Sequence, residues 1–308
     1  TTGYLDSMTP EQEAFVNKLQ AELAPHLARH PAINTKWSLL RFCRARNFDY
    51  KKTEAMVLKC IKWRDEKDMD RIRNIDFSTM APIFDKHVSG RYGTDKLGRP
   101  IIIERAGFSD TKSIMTQNEN QLIEDYFIQL YERSVYIEFP IASEAAGRRI
   151  DETFLIVDLK NVNVGKLFDS RFKAFLNFIT VVSQDYYPEM LGKMFIVNAP
   201  FLFKGAWAII KGWLDAKTRS KIEMYSDVPL KKIQEFVDVE NLPDFLKGGC
   251  ARPLNENFGP WKAAIESSHK RHSFFLEDRT PEYKYFYTAE ERDKLKSEQP
   301  HVIADKAD

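Results

Sequence analysis

Residues 185–226 read DYYPEMLGKMFIVNAPFLFKGAWAIIKGWLDAKTRSKIEMYS, and the fold turns on this stretch. Met194 to Asn198 is a strand-like apolar run that stops before Pro200. From Phe201 to Leu214, ten of fourteen residues are Phe, Leu, Ala, Trp or Ile. The exceptions are two pairs, Lys204-Gly205 and Lys211-Gly212, which on a helix share one stripe about 120° wide. Fourteen helical residues cannot cross a bilayer core of about 30 Å at about 1.5 Å each. The pattern leaves two readings open, a core helix or a lid that is dry on one side and membrane-facing on the other. Each interior glycine costs about 1 kcal/mol relative to alanine, which suits an element that bends or slides. Trp207 and Trp213 carry the apolar body and polar tip that favour a lipid–water interface.

Outward from this segment the chain alternates. Residues 153–159 (TFLIVDL), 193–199 (KMFIVNA) and 221–226 (KIEMYS) read as strands, separated by helical runs over 165–185 and 201–214. The first two runs are apolar at most positions, as strands buried on both faces are. Strand-helix-strand repeats predict right-handed crossovers and a largely parallel sheet, so the fold class is α/β. Upstream, HVSGRYGTDKLGRPIIIER (87–105) reads as a hairpin and residues 117–138 as helix.

Residues 9 to about 70 are predicted to be helical. Thr9 is a candidate N-cap, with Pro10 at the first helical position and Glu13 as the later acid. The next helix carries Trp37, Leu40, Phe42 and Cys43, with Arg41, Arg44 and Arg46 interleaved. A third begins after Asp49 and runs through Ala55, Leu58, Ile61 and Trp63. NLPDFLKGG (241–249) closes the core, and the residues from about 251 form a charged tail with GPWK (259–262) as an anchor, lying on the domain or partly mobile.

Composition narrows the function. The 308 residues are 30% charged with a formal net charge of +1, so neither a basic field for nucleic acid nor an acidic tail is present. Cys43, Cys60 and Cys250 are odd in number and widely spaced, which fits a reducing cytosol better than a disulfide framework or a zinc site. The opening residues have no leader-like pattern, and no apolar run is long enough to span a bilayer. With 22 Phe and 13% aromatic residues, the chain has material for an apolar cavity.

Catalytic patterns are missing. Asp158 and Asn198 fall near strand ends, where α/β enzymes gather ligands. The loop after Asp158 lacks the first glycine of a phosphate loop, because Lys160 stands there. No G-x-G-x-x-G or G-x-S-x-G occurs. His26 and His30 have helical spacing without a third ligand, and His269 and His272 are in the same position, so no metal site is expected. Asp158 reads as a strand-end residue capping backbone amides, and the chain as a non-enzyme.

A polar set surrounds the greasy segment: Arg46, Glu189, Thr218 and Lys221. Cation plus hydroxyl suits a phosphate, and a carboxylate suits polyol hydroxyls. The blocks LLRFCRARNFDYKKTEAM, YGTDKLGRPIIIER, FPIASEAAG, FLIVDLKNVNVG, SQDYYPEMLGKMFIVNAPFLF, WLDAKTRSKI, NLPDFLKGG and NFGPWK, over about residues 35–262, resemble the CRAL-TRIO family. They are especially similar to its Sec-fourteen-like phosphatidylinositol transfer branch.

The resemblance implies an N-terminal helical lobe over 1–75, a lipid-binding domain over 76–250 and a tail over 251–308. It implies a mostly parallel sheet flooring a large apolar cavity, closed by a gate helix that falls on Phe201 to Leu214. The gate carries Phe201, Phe203, Trp207, Ile210, Trp213 and Leu214. It also implies an inositol headgroup site on Arg46, Glu189, Asp215, Thr218 and Lys221, with Lys221 and Thr218 at the phosphate. Asn47 and Met190 stand where the family often has Lys and Arg, which lowers the positive charge. Of two strand hydroxyls for choline lipid, Thr153 survives and Leu155 replaces the other. The expected protein is a monomeric cytoplasmic carrier without a cofactor. It would bind one phospholipid, phosphatidylinositol before phosphatidylcholine, and exchange it at Golgi- or endosome-type membranes. A lipid-sensing regulatory module, or a carrier of a sterol-like ligand, is the alternative. Two acyl chains hold about 30 CH₂ groups at about 0.8 kcal/mol each, roughly 24 kcal/mol, so a carrier must enclose them in a comparably dry pocket.

Overall fold

A computed structural model describes residues 3–30, 33–75, 77, 87–109, 120–163, 165 and 169–262. The helical start is as expected, with one correction. Thr9 caps Pro10–Glu22, but the box closes on Gln12, not Glu13. The Gln12 amide N–H donates to Thr9 Oγ1 at 3.3 Å, and the Thr9 N–H donates to Gln12 Oε1 at 3.1 Å. With Thr9 at the cap and Pro10 first, the third helical residue is Gln12, and its side chain reaches back to the Thr9 N–H.

Lys36–Ala45 and Tyr50–Lys67 pack against one another in the helical lobe. Asp49 caps the second by accepting from the Lys52 N–H at 3.1 Å. Its buried stripe is Thr53, Met56, Val57, Cys60, Ile61, Trp63 and Arg64, whereas Ala55 faces solvent. Asn47 and Phe48 both take left-handed backbone (φ 51° and 57°) between these helices. Asparagine tolerates that conformation, which is a local reason for Asn47.

Five strands form one sheet in the order β1 (Ser89–Thr94), β2 (Pro100–Glu104), β3 (Thr153–Asp158), β4 (Leu191–Val197) and β5 (Ile222–Met224). The hairpin β1–β2 is antiparallel and the other three pairings are parallel. Asp95 builds the hairpin turn, its Oδ1 accepting from the Leu97 and Arg99 amides and its Oδ2 from Arg99 Nε. β4 begins and ends two residues earlier than the pattern suggests, and β5 is only three residues long.

Three parallel steps in one direction, with one crossover hand, put the connecting helices on the same face. Those connections are Asn120–Arg133 extended by Ser134–Glu138 and Phe139–Ala146, then Ser170–Val181 extended by Val182–Tyr186, then Phe203–Trp213. Ser134–Glu138 and Val182–Tyr186 are π-helical, a form frequent at functional sites. The segment Phe139–Ala146 was not expected as helix.

The two sheet faces differ. Ile101, Ile103, Phe154, Ile156, Phe195 and Val197 are fully buried against Val228, Ile233, Val237, Leu242 and Leu246 of the closing segment. On the opposite face Ile102, Leu155, Val157, Met194, Ile222 and Met224 are equally apolar yet only half-buried. Alternate side chains of a strand share a face, so these residues form one continuous wall. Trp261 of the anchor is fully buried and packs with Trp37, Trp63 and Phe139 in a second core. The tail beyond residue 262, with His269 and His272, lies outside the described residues.

Candidate functional site

The third crossover runs over the half-buried wall. Its helix is Phe203–Trp213, shorter at both ends than predicted. Phe201 and Leu202 form a turn after Pro200, whose carbonyl accepts from the Phe203 N–H at 2.8 Å, and they stand 78% and 69% exposed. Leu214 is the extended C-cap. Phe203 and Ala206 are buried and Trp207 and Ile210 half-buried, against Val157, Met194, Ile196, Ile222 and Met224. Lys204, Gly205, Lys211 and Gly212 face out as the periodicity predicts, and the exposed face extends beyond that stripe to Ala208 and Ile209. At Gly205 and Gly212 an added Cβ would meet nothing within 4 Å. Neither glycine is needed for close packing, so each lowers helix stability without a packing return.

Residues 184–189 (QDYYPE) are a junction at which every side chain or carbonyl has a distant partner. Asp185 pairs with Lys59 at 2.6 Å and lies 3.8 Å from Arg46. Tyr186 stacks on Trp63 with centroids 4.0 Å apart. The Tyr187 hydroxyl donates to Glu132, which also holds Arg64 and Arg73 at 2.9 and 2.8 Å. Burial would raise the Glu132 pKa, but the two guanidinium charges and their hydrogen bonds outweigh it and hold the carboxyl at about 2. Arg41 donates through Nε and Nη2 to the Pro188 carbonyl at 2.9 and 2.6 Å. Burial lowers the Arg41 pKa to about 10, which leaves it charged at neutral pH. This clamp sets the turn in which Glu189 adopts a left-handed φ of 62°.

Glu189 thereby enters a charged cradle with its side chain only 7% exposed. Lys217 Nζ donates to both of its oxygens at 2.8 Å, and Lys221 Nζ lies 3.9 Å away. Lys221 also donates to the Leu191 carbonyl and stands 3.7 Å from Glu152. Burial raises the Glu152 pKa, with Lys221 opposing and Asp151 and Glu189 adding to the rise. Asp215 caps Ala216–Ser220, accepting from the Thr218 amide at 2.8 Å and its hydroxyl at 2.6 Å. Partial burial pushes the Asp215 pKa up, but those bonds, the Lys217 amide and Lys221 carry it below the usual range.

The structure thus brings together Glu189, Asp215, Thr218 and Lys221 of the expected headgroup set. Arg46 stands apart, reaching Asp185 and the Ala45 carbonyl instead. Met190 is buried in the core beside Tyr187, so it faces away from the cradle. Thr153 Oγ1 donates to the Met190 carbonyl at 3.2 Å. Lys217, Arg41 and Gln184 were missed, and only the density of motif residues around 184–221 hinted at them. A separate small cleft of about 30 Å³, with a mixed lining that includes Ile33, Phe42 and Val135 beside Arg41, Arg64 and Glu132, lies apart from the apolar wall.

Asp158 is fully buried, with Oδ1 accepting from the Lys160 amide and Asn198 Nδ2, and Oδ2 facing Arg105 at 3.3 Å. Its observed bonds are those of a strand-end cap. The helix bearing His26 ends at Leu27, so His30 lies outside it and pairs with Asp65 at 3.0 Å. Among the described residues no group of three His, Cys, Asp or Glu side chains could hold a metal, and no helix is long and apolar enough to cross a membrane.

The site is thus an α/β sheet with one sealed face, one half-buried apolar face and a charged cradle beside the covering helix. The chain matches the CRAL/TRIO domain over residues 85–248 and belongs to that family. It is 34% identical over 230 residues to the phosphatidylinositol/phosphatidylcholine transfer protein SFH12 of Arabidopsis thaliana, covering 73% of this chain and 42% of that protein. It is 32% identical to the Sec14 cytosolic factor of Schizosaccharomyces pombe, covering 73% and 79%. The chain therefore spans under half the length of SFH12. Among solved structures, that of Sfh5 superposes with a TM-score of 0.60 at 17% identity, over 85% of this chain and 97% of that one, which shows the shared fold.

Proposed function

We propose that this chain carries one phospholipid in a cavity floored by the sheet and exchanges it at membranes, with phosphatidylinositol as the preferred ligand. The carrying observation is the asymmetry of the sheet. A wall of Ile102, Leu155, Val157, Met194, Ile222 and Met224 is left half-buried while the reverse face is sealed. Acyl chains would complete the burial of that wall, each CH₂ contributing about 0.8 kcal/mol. The relatives' names as phosphatidylinositol/phosphatidylcholine transfer proteins support the reading.

In this reading Phe203–Trp213 is the gate, Lys221 and Thr218 take the lipid phosphate, and Glu189 accepts from inositol hydroxyls once Lys217 releases it. Phe201 and Leu202, exposed beside Lys204, enter the membrane surface during exchange. Arg46 acts through Asp185 and the junction rather than on the headgroup. Choline lipid is the weaker candidate, because the Thr153 hydroxyl is spent on the Met190 carbonyl and Leu155 offers none. The protein works as a cytosolic monomer that visits membranes transiently.

Native mass spectrometry of the purified protein, followed by lipid extraction, tests the proposal. One phospholipid per chain is expected, with phosphatidylinositol enriched. An empty protein that takes up no phospholipid from vesicles overturns it. Lipid binding without net transfer between vesicles would make the chain a lipid-sensing module instead.

A further inference from the structure

Gln184 joins elements that the proposed mechanism treats separately. Its Nε2 donates to the Trp213 carbonyl at 2.9 Å, and its Oε1 accepts from the Asp215 N–H at 2.8 Å. One primary amide thus bridges the last residue of the gate helix and the cap of the helix that carries Thr218. The Trp213 carbonyl is one of the orphan acceptors at a helix C-terminus, and Leu214 between the two bonded groups is extended. Gln184 itself sits in the π-helical Val182–Tyr186, next to Asp185, which Lys59 of the helical lobe holds, and three residues before Tyr187, which donates to Glu132. The anchor is therefore rigid on one side, while the gate has two glycines and an exposed face on the other.

We propose that Gln184 is a latch. It holds the C-terminal end of the gate closed and ties that end to the headgroup cradle. At neutral pH an amide does both jobs where a carboxylate cannot, because the Trp213 carbonyl needs a donor and the Asp215 N–H needs an acceptor. Releasing the latch frees Trp213 and displaces the Asp215–Thr218 cap in one movement, so headgroup release and gate opening are coupled. This inference rests on reading Phe203–Trp213 as a gate, and its test does not require lipid transfer.

The test uses the full chain with Cys250→Ser and nitroxide labels at Ala208→Cys on the gate and Lys62→Cys on the helical lobe. Cys43 and Cys60 are buried and stay unlabelled. Electron–electron distance distributions are compared for Gln184, Gln184→Ala and Gln184→Glu. Losing both hydrogen bonds in Gln184→Ala shifts an opening equilibrium on the order of ten- to thirty-fold, and Gln184→Glu loses one bond and gains a repulsion, so both variants should gain a second, displaced population. Gln184→Glu keeps the acceptor but sets a carboxylate against the Trp213 carbonyl. At about pH 4 its protonation restores a donor, and the displaced population should shrink there but not in Gln184→Ala. A purely structural role would give no such reversal. Identical distributions for all three proteins, or a displaced population in Gln184→Glu that ignores pH, overturn the latch. A latch that responds in a protein found to hold no lipid would uphold this inference and remove the transfer reading.

Discussion

Gly205 and Gly212 offer the sharpest test of the proposed gate. In the double variant Gly205→Ala/Gly212→Ala, the added methyl groups meet nothing within 4 Å, so no clash enters the energetics. Neither residue has the positive φ that would make alanine strained. What remains is helix propensity: about 1 kcal/mol at Gly205, and roughly half of that at Gly212, one residue before the helix ends. The sum of about 1.5 kcal/mol corresponds to roughly a tenfold change in a rate or equilibrium. If exchange requires the gate to bend or unwind, transfer of fluorescent phosphatidylinositol between donor and acceptor vesicles should slow about tenfold. The thermal midpoint should hold or rise, and amide exchange across residues 203–214 should slow in parallel. Slower amide exchange with an unchanged transfer rate would refute the role assigned to the glycines and point to rigid-body movement.

Further outcomes follow from other parts of the site. Lys221→Ala should reduce phosphatidylinositol transfer at least tenfold while other lipids lose less; an equal loss for all lipids would remove Lys221 from the headgroup. Phe201→Ser/Leu202→Ser should weaken sedimentation with vesicles by roughly 1.5–3 kcal/mol per side chain that enters the bilayer, with no fall in thermal midpoint, because both side chains are exposed. The depressed Glu132 pKa means the unfolded chain binds that proton first as pH falls. Its contribution to stability is therefore full above about pH 4.5 and is lost toward about pH 2, amounting to a few kcal/mol. Urea titrations over that range should show the decline, and Glu132→Gln should flatten it while lowering neutral-pH stability by about 3–5 kcal/mol, since Arg64 and Arg73 stay buried.

Much of the fold was legible because it rests on local rules. The apolar runs around Phe154 and Phe195 announced buried parallel strands, and the stripe of Lys204, Gly205, Lys211 and Gly212 announced which side of the gate faces out. Errors occurred where side chains compete at close range. Glu13 looked like the capping acid, but the helix begins at Pro10 and puts Gln12 in reach. Phe201 was read into the helix, but the turn after Pro200 consumes it. Arg46, expected at the headgroup site, has Asp185 3.8 Å away, a neighbour the sequence did not show.

What the sequence alone determined is the order and type of the elements and the family they form, because backbone periodicity and turn chemistry depend on neighbours a few residues apart. Tertiary structure alone decided that Lys217 grips Glu189, that Arg41 holds the Pro188 carbonyl, and that Gln184 bonds both the Trp213 carbonyl and the Asp215 N–H. These partners are 28, 147 and about 30 residues apart. They meet only because the crossovers carry the exit of one helix to the entrance of a strand, a position set by packing of whole elements that no local pattern records.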